Sequence, residues 1–210
     1  TIEPGSTMKT FTLATAIERG VWNPNATYMS GQYKVYDKTI RDSNQSGWGR
    51  ITYLEGIQRS SNVGMANLLK SIGPDNFMDS LKSFGFGSKT GIDLPGETPG
   101  KLLNQYPINR VTTAYGQGST VTPIQLIQAY SAVANDGKMM QPYVIDKIVD
   151  SNTGKVLEHH EPTVKGEPIS AETAKQVRET LATTVTDEHG TAKKFASDDY
   201  TVTGKTGTAQ

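Results

Sequence analysis

Pro4-Gly5-Ser6-Thr7-Met8-Lys9-Thr10-Phe11-Thr12-Leu13-Ala14-Thr15-Ala16-Ile17-Glu18-Arg19-Gly20 is the stretch from which the rest of the chain is read. Met8, Phe11, Ala14 and Ile17 recur every three residues and Gly20 follows as a stop, so the spacing predicts a helix with Ser6 in its first turn. Residues three apart share a helix face, which sets the amine of Lys9 over the hydroxyl of Ser6. A serine hydroxyl is a weak nucleophile until a base takes its proton, and lysine is a base only when neutral. Desolvation or a nearby positive charge creates that condition by lowering the lysine pKa. A helix start also favours negative charge that develops there, so the N–H of Ser6 is half of an oxyanion hole. Taken alone, the pair reads equally as a helix cap and a solvated lysine.

Working outward, Ser60-Ser61-Asn62 falls between a helix capped by Thr52, carrying Leu54 and Ile57, and a second helix through Val63, Ala66, Leu69 and Ile72. Ser60 is placed to relay a proton, and the Asn62 amide to donate to and accept from a peptide bond; Ser61 reads as turn and cap chemistry. Lys-Thr-Gly occurs twice, at Lys89-Thr90-Gly91 and Lys205-Thr206-Gly207. The first copy sits among glycines and prolines and reads as a decoy. The second follows Tyr200-Thr201-Val202-Thr203, a β-branched run that predicts a strand. On a strand edge, Thr208 would supply the second oxyanion N–H, Gly207 would let substrate approach, and Lys205 with Thr206 would hold a carboxylate. The Lys205 cation would also depress the pKa of Lys9. With 15 serines and 15 lysines in 210 residues, a lone Ser-x-x-Lys is expected about once by chance, so only the ordered set has meaning.

Other elements follow from pattern. Pro74 opens a helix with Phe77, Leu81 and Phe84 on its core face. Thr122-Pro123 caps one with a stripe of Ile124, Ile127, Tyr130, Val133 and Ala134. Ser170 caps the last, stapled by Ile169. Tyr33 to Tyr36 reads as a short strand, and Tyr143 to Val149 with Lys155-Val156-Leu157 as a hairpin turned at Asn152-Thr153-Gly154. A terminal strand needs partners that the sequence does not supply, so the expectation is a fragment.

Composition narrows the function classes. The 21 basic and 21 acidic residues balance, which argues against a nucleic-acid partner. No apolar run is long enough for a bilayer-spanning helix. There is no cysteine, hence no thiol nucleophile or thiolate metal site. His159, His160 and His189 lie in polar stretches without ligand spacing, so no metal and no cofactor are expected.

Glu3 to Lys9, Arg59 to Met65, Tyr115-Gly116-Gln117-Gly118 with Thr122-Pro123, and Gly204 to Gln210 together resemble the transpeptidase domain of class B penicillin-binding proteins. The resemblance spans the chain and implies an α+β fold similar to serine β-lactamases: a five-stranded antiparallel sheet with flanking helices beside an all-helical subdomain, the site between them. On this likeness residues 1–210 are one partial transpeptidase domain, truncated at both ends. It implies acylation of Ser6 by the D-alanyl-D-alanine end of a peptidoglycan stem peptide, then aminolysis to a cross-link, with Ser6, Lys9, Ser60 and Lys205 catalytic and Asn62, Thr206, Gly207 and Thr208 substrate-binding. It further implies inhibition by β-lactams, partners among cell-wall synthesis or division proteins, and a location at the extracytoplasmic face of the bacterial membrane, anchored by an N-terminal segment. The alternatives are a D,D-carboxypeptidase, a β-lactamase, for which Glu97 is the only tempting water-activating carboxylate, and a non-catalytic β-lactam sensor.

Overall fold

The computed structural model describes residues 1–209; Gln210, the last residue of the quoted terminal motif, lies outside the described residues. The opening stretch folds as a tight 3-10 turn, Gly5–Met8, running into α1, Lys9–Glu18. α1 is the axis of the core. It is buried from Lys9 through Ile17, on every face and not only on the three-residue stripe that the sequence shows. Its threonines make this possible because each hydroxyl has a partner: Thr12 donates to the Ala114 carbonyl at 2.7 Å, Thr15 to that of Phe11 at 2.7 Å, and Thr10 pairs with the Tyr130 hydroxyl at 2.9 Å. Phe11 meets Phe84, Phe86 and Tyr130 edge-on, each at 5.0 Å between ring centres. Burying that ring contributes about 2–3 kcal/mol, with more from the aromatic contacts.

Between α1 and the second helix pair, β1 (Thr27–Met29) pairs with β4 (Arg50–Thr52), and β2 (Gln32–Val35) with β3 (Lys38–Arg41), both antiparallel. Tyr36 is not part of the strand: its φ of 52° makes it the turn of the β2–β3 hairpin, where its ring is 74% exposed. Thr52 caps α2 (Tyr53–Gln58) by accepting from the Glu55 N–H, and Ser61 caps α3 (Asn62–Ile72) by accepting from that of Gly64. α4 (Pro74–Ser83) starts on its proline and buries Phe77 and Leu81.

α5 (Pro107–Ala114) is a helix that pattern reading passes over. Its N-cap is Tyr106, and the closing bond comes from inside the helix, where Asn109 Oδ1 accepts the Tyr106 N–H at 2.8 Å. No Ser, Thr, Asp or Asn announces the start.

α6 (Pro123–Ala134) has the expected Thr122 cap, but its buried face is rotated from the apolar stripe. Ile127 is 64% exposed, while Gln125 and Gln128 point inward. Gln125 carries two jobs: Oε1 accepts the Thr122 N–H, and Nε2 donates to the carbonyls of Ser88 and Pro99. Binary patterning fails where a buried amide is fully bonded.

β5 (Met139–Met140) pairs with β8 (Val164–Gly166), and the expected hairpin forms between β6 (Lys147–Val149) and β7 (Val156–His159), although Tyr143 to Ile145 stay outside the strand. α7 (Ala171–Thr186) is capped by Ser170, with Ile169 in the core. It packs beside α1, α2 and α6.

The sheets are thus four separate two-stranded antiparallel pieces among helices, an α+β arrangement, and the five-stranded sheet is not formed among the described residues. The expected strand at Tyr200 to Thr208 is also not formed: this segment has no ladder partner there and is held by side chains and by close packing on the Gly5–Met8 turn. β-Branched residues favour extended backbone, but a strand exists only with a neighbour.

Candidate active site

The Ser6 turn is fixed from three directions. Gly5 donates its N–H to the Gly116 carbonyl at 2.9 Å, Thr7 Oγ1 donates to the Pro4 carbonyl at 2.6 Å, and Tyr130 donates its hydroxyl to the Thr7 carbonyl at 3.0 Å. Gly5 needs its φ of +56° for this turn, and a Cβ there would fall 2.4 Å from the Thr208 carbonyl oxygen. Ser6 therefore stands on rigid backbone with the terminal segment directly against it.

Ser6 faces a cleft of about 770 Å³, which Ser60, Asn62, Thr206 and Thr208 also line. Neither Lys9 nor Lys205 is among its lining residues, Lys205 lining a second pocket, but both amines converge on Ser60, which is. Lys9 Nζ donates to the Ser60 carbonyl at 2.5 Å and approaches its Oγ at 3.1 Å; Lys205 Nζ reaches the same Oγ at 2.8 Å and the Thr206 carbonyl at 3.0 Å. Ser60 can serve both because it sits between α2 and α3 with a φ of 60°, which turns its carbonyl and hydroxyl toward α1. Left-handed backbone costs a serine about 1 kcal/mol or more and persists only where the surroundings hold it.

Asp42, which sequence reading did not single out, helps to hold that turn. Its buried carboxylate accepts from Ser61 Oγ at 2.9 Å, the Val63 N–H at 3.0 Å and the Gly31 N–H at 2.9 Å. In sequence it looks like one more turn residue in a Ser/Asn/Gly loop. Asn62 is tied to the same strand end, its Nδ2 donating to the Arg41 carbonyl at 3.0 Å, so its Oδ1 and second N–H remain for the cleft. Thr206 shares a hydrogen bond with Thr191, hydroxyl to hydroxyl at 2.9 Å.

Electrostatics follow from burial. Lys9 is 1% exposed, and desolvation, then the Lys205 cation, drive its pKa well below that of an ordinary lysine, against a smaller opposing pull from Asp42. Desolvation alone brings Lys205 down to about 8.

Gly207 lines a second pocket, with Lys205 and Thr206, rather than the Ser6 cleft. A Cβ on it would stand 2.8 Å from the Thr7 side-chain methyl, so its role here is close packing of the terminal segment on the Ser6 turn. Tyr115 and Gln117 line the cleft, as their place near its rim requires. His189 meets Arg59 Nη2 at 2.9 Å.

The duplicate motif is accounted for differently. Glu97 accepts from the Thr90 N–H, the Thr90 hydroxyl and the Gly91 N–H, which occupies Thr90 and Gly91 within their own loop, whereas it is Lys205 that bonds to Ser60 of the cleft. Lys205→Ala is expected to slow acylation by labelled penicillin at least tenfold and Lys89→Ala by less than twofold. Equal effects would mean that the wrong copy has been chosen.

A family model described as "Penicillin binding protein transpeptidase domain" matches residues 1–210. The chain belongs to this family. Among transpeptidase-family relatives, Stage V sporulation protein D of Bacillus subtilis is 41% identical over 100% of the chain, and penicillin-binding protein PbpB of Mycolicibacterium smegmatis is 35% identical over 99%. The chain spans about a third, 33%, of the length of each. The solved D,D-transpeptidase domain of a peptidoglycan glycosyltransferase from Eggerthella lenta superposes with a TM-score of 0.88 at 31% identity, covering 99% of this chain and 54% of that one. The transpeptidase-family fold is thereby shared along nearly the whole chain.

Proposed function

We propose that this chain carries the acyl-transfer site of a peptidoglycan D,D-transpeptidase. The observation that carries the reading is the convergence of Lys9 and Lys205 on Ser60 at the floor of the cleft that Ser6 lines. Neutral Lys9 takes the Ser6 proton as Oγ attacks the carbonyl between the two D-alanines. The N–H groups of Ser6 and Thr208 stabilise the oxyanion. The C–N bond breaks, and the departing D-alanine amine receives the proton through Ser60, which touches both lysines. Charged Lys205 and the Thr206 hydroxyl hold the terminal carboxylate, and Asn62 holds the peptide of the donor. An amine of a second stem peptide then attacks the acyl-enzyme, and the reverse proton path frees Ser6.

The relatives' names support this reading, among them a penicillin-binding protein and a D,D-transpeptidase domain. Transfer is favoured over β-lactam hydrolysis because the only carboxylate lining the cleft among the described residues is Asp42, and both its oxygens are occupied by inward-facing donors. No carboxylate there is free to activate a deacylating water. No helix among the described residues is long and apolar enough to cross a membrane. By the family resemblance the proposed reading also takes in a location at the extracytoplasmic face of the bacterial membrane, other cell-wall synthesis proteins as partners and β-lactams as inhibitors.

Labelled penicillin followed by peptide mass mapping tests the reading. Persistent mass on the Ser6 peptide is expected; rapid release would indicate a β-lactamase, and no label would refute acylation. Across pH, the rate is expected to rise as Lys9 loses its proton, below the range of an ordinary lysine, and to fall above about 8 as Lys205 loses its charge. A rate that climbs without a fall through pH 10 would exclude Lys205 as the carboxylate anchor.

A further inference from the structure

The cleft has a cationic wall that the reaction above does not use. Lys38, Arg41 and Arg59 line it, from the β2–β3 hairpin and the end of α2. Arg59 is the preorganised member. Its guanidinium stands 5.2 Å from the Trp48 ring centre, its Nε is held by Glu55 Oε1 at 2.7 Å, and its Nη2 by His189 Nδ1 at 2.9 Å. Nη1 has no hydrogen bond among the described residues. Glu55 and His189 lie outside the cleft lining and brace the group from its far side. Arg41 is steadied by Gln32 Oε1 at 3.2 Å, whereas Lys38 is exposed and lies 3.8 Å from Asp37.

A stacked, braced guanidinium on a cleft loses little entropy on binding and matches the planar fork of a carboxylate. Arg59 is ion-paired with Glu55 behind it, and on the cleft side no carboxylate pairs directly with these cations, because Asp42, the one acidic lining residue, turns its oxygens to inward donors. We infer that this wall is a second anion subsite, anchored by Arg59, that reads a side-chain carboxylate on a stem peptide. The inference rests on the proposed transpeptidase reading, in which Lys205 and Thr206 already hold the terminal carboxylate. The peptide recognised is therefore one with a second free carboxylate, on the donor or on the acceptor strand, and an amidated peptide is discriminated against.

The test uses the full-length gene product and two synthetic donors ending in D-alanyl-D-alanine, identical except that one bears a side-chain carboxylate and the other its carboxamide. Acylation rates are read by quenched-flow mass measurement, and aminolysis with the matching pair of acceptor peptides. The rate ratio is taken within each protein, so any loss of folded fraction cancels. About tenfold preference for the carboxylate is expected, falling to near unity in Arg59→Gln and remaining partial in Arg59→Lys. Preference in acylation assigns the carboxylate to the donor, and preference in aminolysis alone assigns it to the acceptor. No preference in either step, or a preference that survives Arg59→Gln, overturns the subsite. If penicillin also fails to label Ser6, the transpeptidase reading itself has failed; if penicillin labels normally, only the subsite has.

Discussion

Lys9→Met is expected to slow acylation of Ser6 by about 10²- to 10⁴-fold, the range for loss of a positioned general base, while leaving the fold intact. The site it vacates is buried, and methionine fills similar space without an amine to desolvate. The change forfeits the bond to the Ser60 carbonyl but also removes the charge that burial and Lys205 work against. Thermal unfolding and penicillin acylation measured on the same sample separate the two effects. A variant that unfolds at the wild-type temperature and acylates at the wild-type rate would remove Lys9 from the chemistry.

Gly116→Ala is expected to be the most damaging single-methyl addition in the chain. Gly116 has a φ of 93°, and a Cβ there would fall 1.7 Å from the Gly5 carbonyl oxygen, with backbone rather than a movable side chain in the way. Either the 115–118 turn or the Ser6 turn must move, which breaks the Gly5-to-Gly116 hydrogen bond. The cost is about 3 kcal/mol or more, a fall in Tm of roughly 10 °C for a domain of this size. Gly154→Ala is the matched control: its φ is 70°, and nothing lies within 4 Å of the added methyl, so about 1 kcal/mol is expected. Equal losses in the two variants would mean that the close approach at Ser6 has no energetic weight.

Local signals in the sequence carried as far as local physics does. Thr52, Ser61, Thr122 and Ser170 are caps in the structure because a side-chain oxygen next to a helix start has one obvious use, the orphan N–H three residues on. α5 escaped because its cap bond runs backward from Asn109. The α6 face was misphased because Gln125 and Gln128 are buried by bonds to carbonyls distant in sequence, which no periodicity encodes. At the site, Ser6, both lysines, Ser60 and Asn62 were nameable from ordered motifs, and the structure brings them together around one cleft. Asp42, Arg59 and Thr191 were not, since their significance lies in what folds against them and each alone is an ordinary turn, helix-end or loop residue. The terminal segment shows the opposite failure: its composition is that of a strand, yet pairing is a property of two segments.

The complete burial of α1 has an evolutionary corollary. Because the helix that continues from Ser6 is packed on all sides, substitutions that reposition the serine by remodelling this helix disturb Phe11 and its ring cluster, and with them the whole interior. On the proposed function, selection by a covalent inhibitor is channelled away from the helix and onto the solvent-facing side of the cleft. There exposed positions of the β2–β3 hairpin such as Lys38 and Thr39 can vary without unravelling the scaffold, and adaptive diversity should accumulate at those positions.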